Sequence, residues 1–227
     1  MKLKFGAIVT EGSGKIGGHV AAKNKSGAYL RTKSVPVNRQ TSAQLERRSS
    51  LASISQAWRE LTDFQRTAWN ATAPDFAKSD IFGDIRQISG FNIYQRLNAI
   101  RRLCGQSLLT VPPVLSAVDF ETLDAVTITL DPVYLNIWFN GTVSTSLMVI
   151  FEATPPGPAS VVVSKSDYRI FSVSVGDYQD YTLTDEYLAK FGSIGSLGEA
   201  IHFRWSFVAL ASGLRSSYFY SRKIITE

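Results

Sequence analysis

The hydrophobic period of this chain changes once, at Pro112-Pro113, and that change restricts it to folds with a helical part followed by a sheet part. Before the prolines, apolar residues recur at steps of three and four. In SAQLERRSSLASISQAWREL, Leu51, Ile54, Trp58 and Leu61 fall on one face of a helix, with Arg47, Arg48, Ser50, Ser55 and Arg59 opposite. Thr62 stands three residues before Gln65, the spacing of a capping box, so a second short helix should start there. It would hold Phe64 and Trp69 and stop before Pro74, because the residue preceding proline disfavours helix. Trp58 and Trp69 are the expected glue of this pair. After the loop 74–89, Ser89 and Gly90 open a third helix with a broad apolar arc including Ile93, Leu97, Ile100 and Cys104. Gly105 would cap it, and Arg96, Arg101 and Arg102 would suit the negative end of its dipole.

After the prolines the period is two. Short β-rich runs occupy 125–130, 136–141, 146–153, 160–164, 168–175, 200–210 and 216–225. Turn residues separate them at Asp131-Pro132, Asn140-Gly141, Pro155 to Pro158, Gly176-Asp177 and Ser212-Gly213. TDEYLAKF, 184–191, reads as one helical crossover with Thr184 as its N-cap. In the run 200–210, Phe203, Trp205, Phe207 and Ala209 should face the core, leaving His202, Arg204, Ser206 and Val208 on the other side. About seven such strands is the number in an immunoglobulin-like sandwich. The single cysteine, Cys104, excludes the paired cysteines of antibody domains, so a fibronectin type III-like sandwich is the closer expectation. That lone thiol reads as a small hydrophobe on a helix face.

The first forty residues lack a core. Gly6, Gly12, Gly14, Gly17, Gly18 and Gly27 are costly to order, and few large apolar side chains offset that cost. KFGAIVT and AYLRTKSVPV could be short strands, but an extended arm that gains order against a partner is the favoured reading. Charge sharpens this. Residues 1–48 hold ten Lys/Arg against Glu11 and Glu46, whereas residues 108–227 hold seven basic side chains against twelve acidic ones. The two ends of the chain should therefore meet different partners. The contact residues of the basic end would be Lys23, Lys25, Tyr29, Leu30, Arg31, Lys33, Arg39, Arg47 and Arg48, with Tyr29 and Leu30 as anchors. Their cations could meet an acidic protein or, without sequence specificity, DNA phosphates, and the latter binding would weaken steeply with salt.

No catalytic constellation is evident. Gly12, Gly14 and Gly17 fit G-x-G-x-x-G, but positions 31–45 contain no Asp or Glu to hold a ribose, and no helix pattern follows. His19 and His202, the two histidines, have no companion ligands in sequence. Asp185 and Glu186 sit at a helix start, where they suit the dipole. No catalytic residue, metal or cofactor is expected, and the chain is not read as an enzyme. No apolar run reaches the ~18 residues of a membrane span, and the apolar stretch near the N-terminus is shorter than the ~7 residues of a secretory core.

The run from Gly14 to Asn70 resembles bacteriophage and prophage structural proteins. The likeness lies in Asn24, Gly27, Tyr29, Arg31, Pro36, Asn38, Thr41 and Gln44, followed by Trp58, Leu61, Thr62, Gln65, Arg66 and Trp69 in the pattern W-x-x-L-T-x-x-Q-R-x-x-W. Arg39 stands where that pattern leads one to expect proline. The resemblance implies a non-enzymatic virion protein, capsid-associated or part of a connector or tail, assembled in a host cytoplasm. Its partners would be other virion proteins and copies of itself, in a homo-oligomeric setting. A DNA-contacting architectural protein is the alternative. The expected fold is α+β and multi-part: an extended arm over 1–40, a helical module over 41–107, a linker at 108–114 and an immunoglobulin/fibronectin type III-like β-sandwich over 115–227.

Overall fold

The computed structural model describes residues 12–25, 27–35, 37–79, 81–86, 88–114, 126–130, 134–176 and 178–225. The KFGAIVT run, Pro36, the turn at Asp131-Pro132 and Asp177 lie outside these residues. The described chain is mixed α+β, with four α-helices and several antiparallel sheets. It forms two compact units, residues 1–96 with 110–112, and residues 97–109 with 113–227.

The first unit begins with strands β1 (Gly14–Ile16), β2 (His19–Asn24) and β3 (Gly27–Thr32), paired antiparallel in that order. The segment expected to run out as an arm therefore pairs with itself over residues 14–32. Gly17 makes this possible: its φ of +55° closes the first turn, a conformation that costs glycine little. The pairing satisfies backbone groups without building a core, since Ala21 is the only buried residue described before Ile54.

Helix α1 (Ser42–Glu60) is capped by Thr41, whose hydroxyl accepts from the Gln44 amide. Helix α2 (Asp63–Ala71) carries the expected reciprocal capping box between Thr62 and Gln65. A 3₁₀ turn follows at Ala73–Phe76 with Pro74 in its first turn, and a small hairpin pairs β4 (Lys78–Ser79) with β5 (Ile85–Arg86). Helix α3 (Gly90–Leu103) contributes Ile93 and Tyr94 to the core around Ile54, Leu61 and Trp69. The two tryptophans are joined through a third ring: Tyr94 lies 5.1 Å from Trp58 and 5.3 Å from Trp69. Leu51, expected on the apolar face of α1, is exposed instead, at 47%, and Phe64 on α2 is exposed at 82%. Ile54, Trp58 and Leu61 already fill the α1 stripe, and Phe64 sits in the first turn of α2, away from Trp69 on that helix.

The second unit holds two antiparallel sheets around one core. One sheet has the order β11 (Asp180–Thr182), β7 (Leu135–Phe139), β6 (Val126–Leu130). The other runs β10 (Arg169–Val175), β8 (Leu147–Ala153), β12 (Glu199–Ala209), β13 (Phe219–Ile224), with β9 (Gly157–Pro158) also pairing β12. Leu135, Ile137 and Phe139 from the first sheet pack with Val149, Phe151, Phe203, Trp205 and Phe207 from the second. Helix α4 (Thr184–Phe191) adds Tyr187 to this core. Thr184 is its first residue rather than its N-cap; the hydroxyl accepts from the Leu135 amide and so ties the helix to β7. The run 160–164 is not a strand. Pro155, Pro156 and Pro158 remove ladder donors beside it, and Ser164 closes a turn with Asp167 instead.

The second face of the larger sheet is covered too. Ile100, Leu103 and Cys104, from the C-terminal half of α3 and just beyond it, pack on Met148, Ile150 and Val208. Val208, expected on the opposite side from the core, is buried by this cluster, and Arg204 and Ser206 on the same side are buried as well. Arg101 is not a solvent cation at a helix end: it donates to the carbonyls of Ser107, Leu210 and Ala211. Gly105 takes a φ of +69° and ends the helix as expected, with the Gln106 amide reaching the Arg101 carbonyl.

Candidate binding interface

The nine predicted contact residues divide between the β1–β3 meander and the approach to α1. Strand alternation and register put Leu30 opposite buried Ala21, on the same face as Lys23, and put Tyr29 opposite Ala22, on the same face as Arg31. The two expected anchors thus point to opposite sides of the sheet, and both are half-buried. Lys25 lies in the β2–β3 turn, and the Lys33 amide extends the pairing by donating to Gly18. Arg39 precedes Gln40, whose φ of +48° bends the chain towards α1. Arg47 and Arg48 follow in the second turn of that helix, where the side chains of residues 42–49 are all exposed. All seven cations of the set are exposed.

The glycines of the G-x-G-x-x-G match lie in a β-hairpin, with Gly14 opening β1 and Gly17 in the turn before β2. A dinucleotide fingerprint needs a helix N-terminus at that point; here a strand follows. His202 is half-buried, and burial followed by the nearby Arg222 holds its imidazole below the ordinary histidine value. Among the described residues no group of three His, Cys, Asp or Glu is placed to hold a metal ion.

One charged constellation escaped the sequence reading. On the larger sheet, the buried Glu152 carboxylate accepts from Arg204 Nε at 2.8 Å, from Arg215 Nη2 at 2.7 Å and from Tyr218 Oη at 3.1 Å. The Arg204 guanidinium lies between the rings of Tyr168 and Tyr218, 4.3 and 4.4 Å from their centroids. Burial works against the Arg204 charge, but the Glu152 hydrogen bond and charge more than offset it, so its pKa is raised. With Arg204, Arg215 and Tyr218 all donating to one carboxylate, this cluster fastens β8, β12 and the 215–218 segment. Its only signal in the sequence was a single acid in the apolar run LMVIFEA.

No family model, curated protein or solved structure matches the chain.

Proposed function

We propose that the chain is a non-enzymatic virion structural protein, a component of a phage capsid surface, connector or tail, attached to neighbouring subunits by its basic N-terminal segment. One observation carries this reading. Between Gly12 and Ser53 the described chain is ordered into three strands and half a helix yet buries only Ala21. A segment that makes secondary structure without a core of its own is suited to complete that core on another molecule. The exposed Ile16, Val35, Val37, Leu45 and Leu51 supply apolar contact for such a partner, and the exposed cations supply charge.

The finer assignment of the second unit, a fibronectin type III-like sandwich, is supported by its strand order. Without β9, its strands among the described residues number seven in sequence. The first, second and fifth form one sheet; the third, fourth, sixth and seventh form the other. Constant immunoglobulin domains place the fourth strand beside the fifth; here it lies beside the third, with Arg169 paired to Ala153. Such a module would decorate or bridge.

Hydrogen exchange and limited trypsin digestion of the isolated chain test the attachment role. Early cleavage between Lys23 and Arg48 is expected, with the same bonds protected in purified particles. Resistance of the 23–48 bonds to trypsin in the isolated chain, equal to that in the particle, would sink it. A second reading, contact with DNA through the same segment, is favoured by the exposure of all seven cations.

A further inference from the structure

Two arginines outside the basic N-terminal segment converge with one of its lysines. Lys25 from the β2–β3 turn, Arg86 from β5 and Arg96 from α3 line a single cleft of about 560 Å³. Asn24, Ser89 and Asn92 add amide and hydroxyl groups to its wall, and among the described residues no carboxylate lines it. Ser89 immediately precedes α3, and Asn92 and Arg96 lie four residues apart on one face of that helix. Lys25 and Arg86 arrive from two separate hairpins. Three cations from three elements thus share one concavity, an arrangement that costs repulsion unless an anion enters it.

We infer that this cleft binds the phosphodiester backbone of a nucleic acid. Guanidinium forks and amide donors fit phosphate oxygens. The volume exceeds what a single carboxylate needs and accommodates a phosphate with its sugar. The ligand also extends beyond the cleft, because the adjoining residues 12–48 carry eight Lys/Arg and one acid, Glu46. Regularly repeated charge of that extent belongs to a nucleic acid strand. Among the described residues no aromatic ring lines the cleft, so bases are not stacked there and affinity should be independent of sequence.

The inference rests on the DNA-contacting reading and gives it a specific site; it does not require the virion reading. Fluorescence anisotropy with short labelled single- and double-stranded oligonucleotides, across a salt series and using the full chain, tests it. Arg86→Gln/Arg96→Gln is expected to weaken binding by about tenfold or more and to reduce the salt slope by about one for each cation lost. The charge-matched control Lys165→Gln/Lys190→Gln, two exposed lysines of the second unit, should change affinity by less than about threefold, as loss of diffuse attraction alone does. Equal losses in the two double variants would leave DNA contact standing and overturn the cleft as its site. Absence of binding at low salt would overturn both. Equal binding of polyglutamate, lost equally in the cleft variant, would overturn the assignment to phosphate.

Discussion

At the residue scale the molecule invests most in groups that the sequence shows only as single letters. Glu152, Arg204 and Arg215 are three of them. Removing the acid leaves two guanidiniums among apolar strands with no countercharge, so Glu152→Ala should cost about 3–5 kcal/mol, read as a lower denaturant midpoint. Replacing the whole cluster with packed apolar residues should cost far less, because no orphaned charge remains. The tyrosines form a second set. Burial pushes the phenols of Tyr94, Tyr168, Tyr187 and Tyr218 above the ordinary value, and Glu199 adds to the effect at Tyr187. Their folded-state values exceed the unfolded ones, so their contribution to stability is whole below pH ~10 and falls as pH rises through the folded values. Ultraviolet titration should therefore show these four phenols ionising late, together with alkaline unfolding. If all nine tyrosines of the chain titrate as one class, these environments are wrong.

At the element scale, local grammar was legible wherever it is self-contained. The Thr62–Gln65 capping box, the Gly105 helix end and the extent of β8, β10 and β12 follow from spacing and side-chain type alone. What a short stretch could not reveal is its neighbour. Strand β11 has three residues, too few to show a period, and exists because β7 offers an edge. Val161 to Val163 have strand-forming side chains but no such edge. Arg204 and Ser206 looked solvent-facing until Tyr168 and Tyr218 enclosed the guanidinium and Arg215 reached the serine hydroxyl. Close approach is equally invisible in sequence. A Cβ added at Gly90 would stand 2.6 Å from the backbone of Trp69 and Asn70, and the Gly90 amide already donates to Asn70 Oδ1. Gly90→Ala should thus destabilise by about 1–3 kcal/mol through overpacking, although alanine is the better helix former. Thermal melts of the variant check the sign.

At the scale of the whole molecule, the sequence disclosed the division between helix-rich and sheet-rich parts through its change of period, and the charge polarity through simple counting. It disclosed less of the candidate site. Seven cations could be named, but Arg86 and Arg96 lie 61 and 71 positions beyond Lys25 and meet it only in the folded chain. Nor could it show that the glycine-rich start, judged too poor in apolar surface to hold a core, would still pair its own backbone. The β1–β3 meander has β1 and β3 as its outermost described strands, so each offers a row of amides and carbonyls to any strand that comes alongside. Lys15, Arg31 and Lys33 are the gatekeepers of those rims. Neutralising them should turn clear stocks turbid with a thioflavin-positive precipitate, because the charge that keeps a second molecule's strand off those rims is lost.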